Sequence, residues 1–162
     1  MKKLLLLSFI GIIIHSTTRS QCSPQGNQVS YGTGDVWIGY VYDNINFTGY
    51  AGYVTEGTAG NPAFDQSFGG SNANYTTNGC SIYTSTYSVR YKLTKTFAAG
   101  GYEFTVGGDD GYRLSVDGGA TWIIDRWDDQ GYTVSTAAVY LDGTYDLVLE
   151  YYEYEGDNRI SF

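Results

Sequence analysis

Two adjacent aspartates are the residues of this sequence with the best-defined chemistry. Asp109 and Asp110 lie between glycines in the stretch 107–119, at the junction of two strand-like runs. Neighbouring carboxylates repel each other unless a cation or hydrogen-bond donors neutralise them, and flanking glycines allow positive φ or a close approach to a ligand. Calcium prefers several carboxylate and carbonyl oxygens. The pattern predicts a calcium site on a loop; the alternative is a turn whose carboxylates accept hydrogen bonds from backbone N–H groups.

The N-terminal segment has the pattern of a secretory signal peptide. Two lysines precede an apolar run over residues 4–14, which is too short to span a bilayer. We expect residues 1–20 to be removed and the protein to be secreted, extracellular or displayed on the cell surface. Cys22 leaves lipid anchoring as an alternative, although Gln21 before it is not the small residue that lipoprotein processing normally needs.

The composition of the remaining chain excludes several functions. Three of the nine Lys and Arg residues precede position 21, so 6 basic residues remain against 17 acidic ones, a net charge of −11. This charge argues against nucleic acid and against anionic membranes as partners, and we expect no membrane insertion. The single histidine, His15, also lies in the leader, which excludes Ser-His-Asp triads, Cys-His pairs and His-ligated zinc.

We expect no enzymatic activity. A glycoside hydrolase would need two carboxylates roughly 5–10 Å apart, one of them with a raised pKa. Adjacent aspartates that bind one metal ion do not meet that requirement.

Two cysteines, Cys22 and Cys80, remain in the exported chain. In an oxidising compartment two cysteines most simply form one disulfide. The alternative is a pair of reactive thiols, but neither cysteine lies in a CxxC arrangement. The sequence therefore predicts a bond between the mature N-terminus and a loop in the middle of the chain.

Alternation of aromatic or β-branched residues with other residues recurs along the chain, and no window has a sustained helical period. This period of two predicts half-buried strands. The strongest stretches are 36–42, 89–93, 102–106, 112–116 and 145–152. Asp117-Gly118 and Asp142-Gly143 predict hairpin turns.

We predict one domain over residues 21–162, an all-β antiparallel sandwich or barrel with long surface loops. The polar stretch 55–79 has strand patterns on both sides. It is therefore interpreted as a long excursion from the same domain, with Phe64 and Phe68 as anchors.

The order of these motifs resembles the protective-antigen-type lectin domain, the PA-fourteen domain. The motifs are Trp37-x-Gly39-x-Val41-Tyr42, the stretches 64–68 and 88–91, the aspartate stretch 101–118, Ile123-Ile124-Asp125-x-Trp127 and the tyrosine-rich stretch 139–153. The resemblance implies an antiparallel β-sandwich, or jelly roll, found in adhesins, glycosidases, toxins and sugar-binding surface proteins. It implies carbohydrate binding in many members of the family.

The aspartate pair is most similar to that of the calcium-dependent adhesin and flocculin branch. In that branch a cis peptide joins the two aspartates, which ligate one Ca²⁺ that in turn coordinates sugar hydroxyls; Asp109 and Asp110 match them. The branch also uses an Asn and carbonyls from a loop near the end of the domain. The resemblance therefore implies Asp157 and Asn158 as further calcium ligands, and a solvated hairpin turn is the alternative for both.

Trp127 follows the aspartate strands and offers a flat apolar ring that could stack on a sugar; the alternative is core packing, which we also expect for Trp37 and Trp122. We expect a calcium-dependent, lectin-like or adhesin-like module that binds an extracellular glycan as a monomer, with Asp109, Asp110, Trp127 and Asn158 in contact with the ligand. The alternative is a non-catalytic structural or protein-interaction module of a larger surface protein.

Overall fold

The computed structural model describes residues 22–162, and the predicted signal peptide over residues 1–20 lies outside them. The described chain contains strands and loops without any helix, so it has no helix that could cross a membrane. Its strands are β1 (Trp37–Tyr42), β2 (Tyr50–Glu56), β3 (Asp65–Gln66), β4 (Asn74–Thr76), β5 (Asn78–Gly79), β6 (Ser81–Tyr83), β7 (Tyr87–Asp109), β8 (Tyr112–Ser115), β9 (Ile124–Arg126), β10 (Thr133–Glu153) and β11 (Arg159–Ser161).

A long antiparallel ribbon of β7 and β10 forms the centre of the fold. The two strands pair from one end of the ribbon, where Tyr87 lies opposite Glu153, to the other, where Gly108 lies opposite Thr133. The register shifts at a bulge between Leu141 and Gly143, and bulges bend strands. The hairpin turn predicted at Asp142-Gly143 is therefore wrong, because these residues lie inside β10.

The ribbon folds back on itself and contributes to both layers of an antiparallel β-sandwich. In the first layer the strand order is β5-β2-β1-β7-β10-β8-β9. In the second layer the later half of β7 lies between the early half of β10 and β11, and β11 in turn pairs with β3. The fold-back brings Phe97 to 6.1 Å from Phe104, ring centroid to ring centroid. The predicted all-β sandwich is confirmed.

The core lies between the layers and is built by the alternation seen in the sequence. The buried residues of the central strands include Val89, Tyr91, Leu93, Phe104, Val106, Leu147, Leu149 and Tyr151. Trp37 is fully buried, and its Nε1 donates a hydrogen bond to the carbonyl oxygen of Pro62. Its predicted packing role is confirmed.

The outer face of the first layer carries a buried ion network. Glu150 is 3% exposed and accepts hydrogen bonds from Nε of Arg90 at 2.6 Å and Nε of Arg113 at 2.7 Å. These side chains are aligned because Glu150 lies opposite Arg90 on β7 and opposite Arg113 on β8. The network ties three neighbouring strands together.

The polar excursion contains three short strands, β3, β4 and β5, which the sequence did not predict. Phe68 anchors it as predicted and is 2% exposed, while Phe64 is half-buried. The predicted disulfide between Cys22 and Cys80 is present, with their Cα atoms 5.2 Å apart.

Candidate functional site

The aspartate pair lies where the second layer meets the first. Asp109 is the last residue of β7, and Asp110 begins the short connection to β8. The peptide bond between them is cis. Because the ribbon folds back, this end of β7 reaches the opposite end of β10, and the Tyr151 hydroxyl donates a hydrogen bond to the carbonyl oxygen of Asp109 at 2.5 Å.

A third carboxylate, that of Glu153, completes the cluster. Glu153, Asp109 and Asp110 each place a carboxylate oxygen within 4.8 Å of the others. Glu153 is fully buried; its Oε2 lies 3.2 Å from the Tyr151 hydroxyl, whose one hydrogen is shared with the Asp109 carbonyl, and its Oε1 has no hydrogen-bond partner. Buried polar atoms are normally satisfied, so a cation that bound this oxygen would be favourable.

Asp110 is held rigidly by backbone donors. It is 6% exposed. Its Oδ1 accepts a hydrogen bond from the N–H of Gln130 and its Oδ2 one from the N–H of Tyr154, both at 2.9 Å. The alternative predicted from the sequence, in which the carboxylates accept hydrogen bonds from backbone N–H groups, thus describes part of the role of Asp110. Each carboxylate oxygen has a further lone pair, so these bonds leave acceptor capacity for a cation.

The pKa values of the other two carboxyls reflect burial and mutual repulsion. Burial, followed by the negative charge of Asp110, raises the pKa of Glu153 to about 8. Burial also raises the pKa of Asp109, and the charges of Asp110 and Asp157 act in the same direction. A divalent cation would remove this repulsion and favour the fully ionised cluster.

The glycines around the pair have a packing role rather than the predicted conformational one. Gly107, Gly108 and Gly111 do not have positive φ. A Cβ on Gly108 would lie 2.4 Å from the Tyr112 ring, and one on Gly111 would lie 2.1 Å from the Tyr152 ring. The aromatic rings therefore explain the glycines without any ligand.

Asp157 and Asn158 lie next to each other in sequence but in different environments. Asp157 is exposed, and its charge acts on Asp109. Asn158 is buried and forms hydrogen bonds with the backbone of the polar stretch 55–79. Its Oδ1 accepts from the N–H of Phe68 at 2.8 Å and from that of Gly70 at 3.3 Å, and its Nδ2 donates to the Gly70 carbonyl at 2.8 Å. These bonds use both lone pairs of Oδ1 and one of the two Nδ2 hydrogens. Calcium ligation by either residue stays a prediction.

Trp127 is half-buried among neighbours of its own chain. Its ring is stacked on Phe47 at 6.0 Å and meets the edge of Tyr152 at 4.7 Å between centroids, and the Arg113 guanidinium lies 4.3 Å from its centroid. These are the contacts of a packing residue. Stacking on a sugar stays a prediction.

The sequence reasoning missed Glu153, although a signal was present. Leu147, Leu149 and Tyr151 are every second residue of β10, and all three side chains point into the core. Glu153 occupies the next position of that series. An acidic residue at an inward position needs a partner, because an unpaired buried charge is costly. That conflict between pattern and residue type identifies the third member of the cluster.

No protein-family model and no curated protein matches this chain, but solved structures do. It is similar to an anti-sigma factor domain-containing protein with 28% identity and a TM-score of 0.62, over 76% of this chain and 40% of that chain. A second such protein, from Clostridium clariflavum, has 28% identity and a TM-score of 0.56, over 76% of this chain and 39% of that chain. This chain thus spans about two fifths of the length of these proteins.

A third solved structure is the PA14 domain of the MpAFP antifreeze protein. It is 12% identical, with a TM-score of 0.57, and the similarity covers 84% of each chain. At this identity the likeness concerns the fold. The chain thus has a sandwich fold similar to that of this PA14 domain.

Proposed function

We propose that this chain is an extracellular, calcium-dependent carbohydrate-binding module. The observation that supports it best is the unpartnered, buried Oε1 of Glu153 beside Asp109 and Asp110. Three carboxylates with one unsatisfied oxygen suit a hard divalent cation. Asp109 is half-exposed, so a cation bound there would have a side open to solvent, where sugar hydroxyls could replace water.

Calcium calorimetry on the metal-free protein tests the cation site, and Asp109→Asn is the sharpest variant. The half-exposed Asp109 makes fewer structural bonds than Asp110, so its change separates ligation from folding. We expect one Ca²⁺ per chain in the wild type and at least a tenfold weaker Kd in the variant. Asp128→Asn, which removes the same charge from an exposed loop residue, is the matched control and is expected to bind normally.

A glycan array separates a lectin from an interaction module. We expect glycan signals that chelator abolishes and that Asp109→Asn weakens while Asp128→Asn does not. Normal calcium binding without any glycan signal would contradict the lectin proposal. No calcium heat, together with equal melting temperatures in calcium and chelator, would contradict the cation site itself.

A second candidate function is a structural or protein-interaction module of a longer protein. It is favoured by the partial coverage of the anti-sigma factor domain-containing proteins, in which the matching region is a minor part of the chain. In that case calcium would stabilise the sandwich, and no sugar would bind.

A further inference from the structure

The early half of β10 forms an open edge of the sandwich. Residues 133–141 pair with β7 on one side. Among residues 22–162, no strand and no backbone group bonds to their other edge; β8 pairs with β10 only over residues 148–151, and the Tyr112 hydroxyl bonds only to the side chain of Ser135, at 2.9 Å. In an antiparallel ladder alternate residues direct their N–H and C=O groups away from the partner strand. About half of these residues therefore present free backbone groups.

This edge lacks the usual protection against pairing. Proteins shield exposed edges with charged side chains, proline, bulges or very short strands. The sequence of residues 133–141, TVSTAAVYL, has no charged residue and no proline, and the bulge of β10 comes only after it. The other edge strands, β3, β5 and β9, are only two or three residues long.

The side chains at the edge are also unusually apolar for a surface. Val134 is 51% and Tyr140 is 69% exposed, and they are two of the six large exposed hydrophobic residues in residues 22–162. Tyr132, just before the strand, is directed away from this edge, because its hydroxyl bonds to Ser161 of β11 and Arg159 lies over its ring. Neighbouring exposed apolar side chains indicate a contact surface rather than scattered exposure.

We propose that residues 133–141 pair edge to edge with the same residues of a second copy, forming an antiparallel homodimer with a continuous sheet. A two-fold axis at Ala137 places Val134 opposite the partner's Tyr140 and Thr136 opposite the partner's Ala138. Aromatic and β-branched residues are favourable cross-strand pairs. This pairing replaces the monomer expected from the sequence.

The absence of charge in residues 133–141 makes this edge the part of the surface that suits a second copy. The chain has a net charge of −8 over all its residues, so two copies repel each other wherever their acidic surfaces meet. The uncharged stretch 133–141 brings no like charges face to face. An isologous contact of this kind also closes at two copies and does not propagate.

Sedimentation equilibrium of the full chain, expressed with its N-terminal segment, tests the dimer. We expect a concentration-dependent mass that approaches twice that of one chain. Thr136→Glu places two new charges close to the axis, and we expect it to raise the dissociation constant at least tenfold. Thr105→Glu is the matched control, because Thr105 is exposed and lies opposite Thr136 on β7, away from the edge; its dimer is expected to persist.

Cysteine crosslinking tests the register independently of any effect on folding. Ala137→Cys would bring two thiols together at the axis, within the Cα distance that a disulfide requires, so we expect a covalent dimer under mild oxidation. In the Val134→Cys variant each new cysteine would lie opposite Tyr140 of the second copy and not opposite another cysteine, so we expect no crosslink. A monomer at every concentration with no crosslink, or open-ended aggregates instead of dimers, would overturn the proposal.

Discussion

At the scale of single residues, Glu153 decides how the site behaves without a cation. Its pKa of about 8 lies well above that of an ordinary glutamate because burial and the charge of Asp110 disfavour ionisation. In the folded, metal-free protein the carboxyl is therefore mostly protonated at neutral pH. In the unfolded chain it ionises near pH 4.5.

This difference predicts how stability depends on pH in chelator. Between pH 4.5 and 8 the folded state binds more protons than the unfolded state, so stability falls as pH rises. At pH 7 the loss attributable to Glu153 is about 3 kcal/mol. Thermal melts in chelator are expected to give a higher Tm at pH 5.5 than at pH 7.5.

Two comparisons check the assignment to Glu153. In Glu153→Gln the pH dependence should largely disappear, whereas Glu103→Gln, a change at an exposed residue, should retain it. Saturating calcium should also remove the dependence, since a bound cation favours the ionised cluster. A Tm that rises with pH in chelator would contradict the assignment.

At the scale of elements, the buried Glu150 holds β7, β10 and β8 together through Arg90 and Arg113. Glu150 is almost fully buried, whereas the side chains of Arg90 and Arg113 are 32% and 26% exposed. Each arginine also lies over an aromatic ring, Arg90 over Phe47 at 4.3 Å and Arg113 over Trp122 at 4.2 Å. Removing the carboxylate would leave two partly desolvated cations side by side.

We expect Glu150→Gln to lower the free energy of unfolding by about 2 kcal/mol, less than for a fully buried pair because water screens the arginines. The matched control is Asp65→Asn, which breaks the bidentate pair with Arg159. Both of those side chains are about half exposed, so water screens the pair and its loss should cost clearly less than the loss of the Glu150 carboxylate. Urea denaturation of the three proteins measures the difference, and equal losses would contradict the role of burial.

The strands were predictable where the sequence alternates, and the bend was not. Alternation around Val89, Phe104 and Leu149 depends on local residue types, and those strands are present. Asp142-Gly143 has the composition of a hairpin turn. The residues before and after it both pair with β7, however, so it lies within one strand. The third carboxylate escaped prediction for the same reason, because Glu153 meets Asp109 only when the ribbon has folded back.

At the scale of the whole molecule, the candidate site and the sandwich form together. Asp109 and Glu153 lie on strands of different layers, at ends of the β7–β10 ribbon that are far apart along it. The carboxylates therefore meet only in the folded state, and an ion that binds them stabilises that state by mass action.

The disulfide attaches the segment over residues 22–36, which precedes β1, to the rest of the sandwich. Several hydrogen bonds also hold this segment. Among them, Gln25 N–H donates to the Asn78 carbonyl at 3.2 Å, the Tyr40 hydroxyl donates to the Ser30 carbonyl at 2.9 Å, and Gly32 N–H donates to the Lys92 carbonyl at 3.1 Å. The bond spans 58 positions, and closing a loop of that length contributes about 4 kcal/mol in the chain-entropy model.

We expect the double variant Cys22→Ser and Cys80→Ser to fold with the same strand content but to unfold at a clearly lower urea concentration. Reductant should lower the stability of the wild type to that of the variant and leave the variant unchanged, which separates loss of the bond from loss of cysteine packing. Circular dichroism during urea titration, with and without reductant, measures both effects. Equal midpoints for the oxidised wild type and the variant would mean that the backbone bonds of the segment suffice, and that the crosslink restricts the unfolded chain far less than its loop length implies.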